Sequence, residues 1–262
     1  MTLPTTNLLK TGNSTTTTPI NHARFWTDYH DERRHFFPSA SLSQPHTLYF
    51  DLEVRRGPED FGGDWERVRR EGGVSVLCIW DEREARPYFY DDHTLAEAAD
   101  RLASADLVVS FNGAWLDVPL IENHLLRNLQ LREHLDLFAL VKSGLDRAGK
   151  SFKGHGLDAL ASATLGRGKT GKASRAPELA STGHMAELFQ YCLEDCLLTR
   201  DLGHFIAERG FVIDKDGEEL ALHVPSWYRQ ASPASVETHQ TSGVRQEVEE
   251  TQSSTSESPG AS

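Results

Sequence analysis

Apolar and polar positions along the chain fall into two periods. Four short runs are rich in aromatic and β-branched residues and are bounded by turn formers: LYFDLEV (48–54), VSVLCIWD (74–81), RPYFYDD (86–92) and DLVVSFNG (106–113). Such runs predict strands, the first and last of them buried on both faces. EREA (82–85) joins the second and third closely enough for a hairpin. LAEAADRLASA (95–105), GLDALASATLG (156–166) and HMAELFQYCLEDCLLTRDLGHFIAERG (184–210) carry apolar residues at helical spacing, and the last two end on glycine. AWLDVPLIENHLLRN (114–128) predicts a helix from about Pro119. LREHLDLFALV (131–141) is compatible with a strand, a helix or both. FVIDKDGEELAL (211–222) places Asp-Gly between partly alternating residues, a hairpin signal. Three early strands followed by alternating strand and helix predict an α/β fold: a mixed sheet with helices on its faces.

Composition sets the limits of that fold. The first 44 or so residues are rich in Thr, Ser, Asn and Pro and are expected to be mostly disordered, with Phe25–Phe37 as an aromatic and charged exception that can dock on the body. From residue 226 the chain turns to Ser, Thr, Gln and Glu, and 226–262 is expected to be a disordered tail. The folded domain is thus expected over 45–225. Three cysteines among 262 residues make no disulfide framework. With no apolar stretch of membrane-spanning length and no secretory or transit signature, they fit a soluble cytoplasmic protein.

A net charge of −12 argues against a generally phosphate-binding surface. Its distribution matters more than its total. Residues 142–175 carry Lys142, Arg147, Lys150, Lys153, Arg167, Lys169, Lys172 and Arg175 against Asp146 and Asp158 alone. A solvated loop is the ordinary reading of such a run. A functional one requires a neighbouring site that handles an anion.

Candidate chemistry begins in the first strand. Asp51 and Glu53 are two apart, so a strand projects both from one face, where burial sharpens their repulsion. Asp117 follows a buried strand, where chains leaving a sheet often carry functional groups. Tyr191 and Asp195 are four apart on the long helix and share a face. Each acid alone has an ordinary explanation as a cap or a surface charge. Together they suit a hard divalent cation, Mg²⁺ or Mn²⁺, which turns crowded carboxylates into a ligand set. Cys192 and Cys196 lack further ligands at zinc spacing and read as core cysteines. His155 and His184 flank the basic segment and are given ordinary polar roles.

Asp51-x-Glu53, the FNGAWLD segment with Asn112 and Asp117, and Tyr191-x-x-x-Asp195 resemble, in order, the three exonuclease motifs of the DEDD superfamily, within its DEDDy branch. The branch with His carries that residue five before the last Asp, where this chain has Gln190. FNG-x-x-x-D-x-P is most similar to the proofreading domains of family B DNA polymerases and their stand-alone relatives. Leu116 departs from them, since relatives often carry Phe there. The resemblance covers roughly 46–208. It implies an RNase H-like fold with a mixed five-stranded sheet, two Mg²⁺ or Mn²⁺ ions, and 3′→5′ removal of nucleotides from DNA or RNA. Asp51 would bridge both ions, Glu53 and Asp195 would complete one site, and Asp117 would serve the other. Tyr191 would orient the attacking water. Phe111 and Asn112 would lie by the terminal nucleotide, and Lys153 and Lys169, in the basic run, would contact the incoming backbone. Protein partners in repair or replication are not specified by any of these residues.

Two rival readings remain at this level. Ala163–Thr170, ATLGRGKT, satisfies a permissive phosphate-loop pattern, which works only between a strand and a helix. A metal-free, inactive RNase H-like module that binds nucleic acid or protein is the other.

Overall fold

A computed structural model describes residues 45–168 and 175–231. Five strands form one mixed sheet: β1 (Thr47–Val54), β2 (Val74–Asp81), β3 (Arg86–Asp91), β4 (Leu107–Ser110) and β5 (His134–Asp136), in the spatial order β3-β2-β1-β4-β5. The β1–β2 and β2–β3 pairs are antiparallel, while β1–β4 and β4–β5 are parallel. The α/β architecture with helices on both sheet faces is the RNase H-like arrangement expected from the sequence.

Strand alternation sorts the core into two layers. Leu48, Phe50 and Leu52 of β1 join Leu77, Ile79 and Val108 on one face. They meet α2 (Leu95–Ser104) and α3 (Asp117–Leu125), through Leu95, Ala98, Leu102, Leu120 and Ile121. Before these lie a 3-10 turn at Pro58–Phe61 and a short α1 (Trp65–Glu71), two elements with no counterpart in the apolar periodicity. On the opposite face Tyr49, Val76, Cys78, Val109 and Leu135 meet α4 (Leu137–Arg147), α5 (Leu157–Leu165), α6 (Arg175–Ser181) and the 25-residue α7 (Met185–Arg209). A small hairpin, β6 (Phe211–Ile213) with β7 (Glu219–Ala221), follows the Gly210 cap of α7, whose φ is 78°.

Several boundaries differ from expectation for local reasons. The segment 131–141 is both elements, β5 running straight into α4. α3 begins at Asp117 rather than near Pro119, because proline lacks only an N–H that a first helical turn leaves unbonded. It ends at Leu125, with Leu126 left-handed at φ 52°. RAPELAS forms α6 despite looking like a poor helix start. The fold also passes residue 225 into α8 (Ser226–Ala231), whose Tyr228 is almost fully buried. Phe25–Phe37 lies outside the described residues.

Helix α7 lies against β1 along a face of small side chains. Cys192 and Cys196, one turn apart, donate their thiols to the carbonyls of Asp51 (3.3 Å) and Tyr49 (3.2 Å). Four residues of helix advance about 6 Å and two of strand about 6.6 Å, so one turn matches one strand repeat. Further along the same face, a Cβ on Gly203 would sit 2.5 Å from the Tyr228 hydroxyl and 3.2 Å from Tyr49 Cε1. Gly203→Val is therefore expected to cost about 1–3 kcal/mol through overpacking, despite valine's better helix propensity. A urea midpoint equal to or above that of the unaltered protein would contradict this close approach.

Candidate metal and nucleic-acid site

β1 is the inner strand from which the site is built. Its β4 partner pairs only with Thr47–Tyr49 and stops at Ser110, so the second half of β1 outruns its neighbour. That half carries Asp51, partly exposed, and Glu53, buried beside a break in register against β2. Both acids continue the Tyr49 face and so turn toward α7. A carboxylate oxygen of each and the Cys192 sulfur all lie within 4.8 Å of one another. Burial, then the Asp51, Glu53 and Asp195 carboxylates, push the Cys192 thiol well above its ordinary value. The sulfur therefore remains a protonated donor to backbone. The harder oxygens are the natural ligands of Mg²⁺ or Mn²⁺, and the donor set fits such a cation.

Asp117 approaches from the other side of the strand's end. It opens α3, is buried, and its carboxyl is raised to about 7 by burial and by the nearby Asp136 carboxylate. The Leu52 amide, from between Asp51 and Glu53, opposes that rise. Asp195 and Tyr191, both buried on α7, flank Cys192 within one turn. The tight trio consists of Asp51, Glu53 and Cys192; Asp117 meets it through the Leu52 backbone and Asp195 through its field at the thiol.

Asp136 is the residue that sequence reasoning did not single out. Fully buried at the end of β5, it accepts the backbone N–H groups of Asn112 and Ala114 (both 2.9 Å), and of Phe138 (2.9 Å) and Ala139 (3.3 Å). One carboxylate thus closes the FNGA turn and caps α4. The turn needs that clamp: Asn112 is left-handed at φ 65°, and a Cβ on Gly113 would lie 2.4 Å from Ser110 Oγ. Ser110 Oγ is itself held 2.8 Å from His134 Nε2. The available signal was the cap pattern alone, an Asp just before the apolar stretch LFALV. Burial raises Asp136 to about 6 while its four N–H donors oppose the shift.

The basic run divides. Lys142 is buried and paired with Asp146 at 3.3 Å. Lys150 bridges Asp214 and Glu218, and Arg167 pairs with Asp201. These charges serve the fold. Lys153 is exposed and, among the described residues, has no ion-pair partner. Lys169 lies outside the described residues, as does Lys172. His155 is buried in the loop before α5. The phosphate-loop pattern at 163–170 starts inside α5 and meets Gly166 as a helix cap, so a helix stands where that motif requires a strand.

No protein-family model matches the chain, and no curated protein matches it. Among solved structures it is similar to the family B DNA polymerase from the hyperthermophilic archaeon Pyrobaculum calidifontis, with a TM-score of 0.48 and 18% identity. The likeness covers 66% of this chain and 25% of that polymerase, so the chain spans about a quarter of its length. Among the described residues no helix is long and apolar enough to cross a membrane.

The raised acids carry a linkage consequence. Between the ordinary carboxylate range near 4 and about 7, the folded protein keeps protons on Asp117 that the unfolded chain has released. The contribution is therefore fully present below about 4 and lost as pH rises through 7. Metal-free protein is expected to lose stability over that window, and Asp117→Asn, which cannot ionise, to flatten the loss. Denaturant midpoints at pH 4.5, 6 and 7.5 measure it; parallel profiles for the two proteins would refute it.

Proposed function

We propose that the protein is a metal-dependent 3′→5′ exonuclease of the DEDDy type, acting on single-stranded or frayed nucleic acid. The observation that carries the reading is the close pair of carboxylates on β1: an oxygen each of Asp51 and Glu53 and the Cys192 sulfur lie within 4.8 Å of one another, while Asp117 opens α3 and Asp195 is buried on α7 three residues after Cys192. Two carboxylates this close favour a counter-charge, which hard divalent ions would supply.

On this reading each residue has a role. Asp51, Glu53 and Asp195 would hold one ion, with Asp51 shared, and Asp117 would serve the second. When bound, such ions acidify the attacking water and neutralise charge on the phosphodiester. Tyr191, whose phenol is too weak an acid to serve as base at neutral pH, orients that water. The Phe111–Asn112 turn, clamped by Asp136, receives the terminal nucleotide at the end of β4. Lys153 and Lys169 carry charge suited to the backbone of the strand behind it.

The test gives the purified protein 5′-labelled single-stranded DNA and RNA with Mg²⁺, Mn²⁺ or EDTA. The expected result is a ladder shortening from the 3′ end that vanishes in EDTA. Loss of several kcal/mol of metal-borne stabilisation predicts a fall of about a thousandfold or more in Asp51→Asn and Asp195→Asn. Tyr191→Phe, which misplaces the water without removing an ion, is expected to fall about a hundredfold or less. Mn²⁺ should raise the melting temperature of the unaltered protein and not of Asp51→Asn. Equal hydrolysis by the unaltered protein and Asp51→Asn would overturn the proposal, and metal-independent strand binding without hydrolysis would favour an inactive binding module.

A further inference from the structure

The Phe111 turn is not isolated from the surface beyond it. The Phe111 and Phe138 rings meet with centroids 5.3 Å apart, tilted by 44°. Phe138 opens α4, and Lys142, four residues on, shares its helix face. Lys142 Nζ lies 5.8 Å from the centroid of Phe152, in the loop between α4 and α5. Phe152 is 44% exposed, and the exposed Lys153 follows it. One exposed phenylalanine is unremarkable on a protein surface. This one is linked to the Phe111 turn by two ring contacts, at Phe138 and at Lys142, on residues one helical turn apart on α4.

We infer that Phe111 and Phe152 are two stacking platforms for a single-stranded nucleic acid, with the exposed Lys153 contacting its backbone. The inference rests on the exonuclease reading for where the strand ends, and adds the path by which it arrives. Aromatic faces take any base, so the track is sequence-tolerant, and interleaved cations suit a polyanion better than they suit an apolar peptide. Lys142 is buried and already paired with Asp146, so its part is to hold the Phe152 ring through a cation–π contact. Phe138, also mostly buried, supports Phe111 through their ring–ring contact. On this path Phe111 takes a base at the 3′ end and Phe152 one upstream of it.

Binding can be measured without hydrolysis, using a 5′-fluorescent oligothymidylate of about eight nucleotides and a dinucleotide competitor, both in Ca²⁺. Phe152→Ala is expected to bind the longer strand about tenfold more weakly and the dinucleotide unchanged, while Phe152→Trp keeps full affinity. Lys153→Glu should weaken the longer strand and flatten its salt dependence. Unchanged binding by Phe152→Ala overturns the track, even if hydrolysis continues and the exonuclease reading stands. Phe152-dependent binding with no hydrolysis in Mn²⁺ keeps the track and removes the exonuclease. Weakening of strand and dinucleotide alike by Phe152→Ala would show a general structural effect and also overturn the track.

Discussion

The close approach of α7 to β1 is the constraint on which the rest of the molecule depends. Cys192, Cys196, Thr199 and Gly203 recur at four-, three- and four-residue intervals, a stripe of small, buried positions on one face of a 25-residue helix. Larger residues there would lift the helix from the sheet. The two thiols also satisfy strand carbonyls at Tyr49 and Asp51, so the contact fixes register as well as distance. Tyr191 and Asp195 sit on the flank of that stripe. Their place on the side of α7 that packs on β1 follows from backbone packing, before any attraction among the functional groups is considered. A site of mutually repelling acids has to be assembled by something other than the acids.

The electrostatics show what that assembly costs. Asp117 and Asp136 are both buried and both pushed upward, burial being the larger cause for each. They are stabilised unequally. Asp136 has four backbone N–H donors, while Asp117 has the Leu52 amide and its own. The more fully solvated charge, in the sense of hydrogen bonds, is the one locked into the scaffold. The less satisfied one opens α3, and in the proposed reading a cation would complete its coordination. That asymmetry separates a structural acid from a candidate ligand more sharply than burial alone, because both are buried.

The sheet and its helices were legible because their signals are local. Runs of aromatic and β-branched residues marked β1, β2 and β4, Asp-Gly marked the last hairpin, and glycine ends marked α5 and α7. The paired carboxylates were legible because i, i+2 on a strand and i, i+4 on a helix are fixed geometries. Asp136 was not, since two of its donors lie 24 and 22 residues away and only folding brings them to it. The basic run misled for the same reason: Lys142, Lys150 and Arg167 find acids near and far in sequence, so net charge along the chain overstated what reaches the surface. α8 was missed because its Ser- and Gln-containing composition resembles the tail that follows, and only the burial of Tyr228 sets it apart. Helix α6 and the early 3-10 turn are too short for periodicity to register.

Asp136 also bears on how the two ends of the site communicate. The same carboxylate holds Asn112 and Ala114, next to Phe111 and just before Asp117, and holds Phe138 and Ala139, the start of the helix that carries Lys142. A shift of that one group moves the turn, the opening of α3 and the first turn of α4 together. The carboxylates at the end of β1 and the aromatic side chains along α4 therefore cannot be adjusted independently. A strand lying on the Phe111 and Phe152 rings presses on elements whose common anchor sits next to Asp117. Rigid coupling of this kind is what placing a scissile phosphate against metal ligands requires, because small misplacements at such a centre reduce rates steeply. The physical role of Asp136 is thus to make one body of the FNGA turn and the first turn of α4.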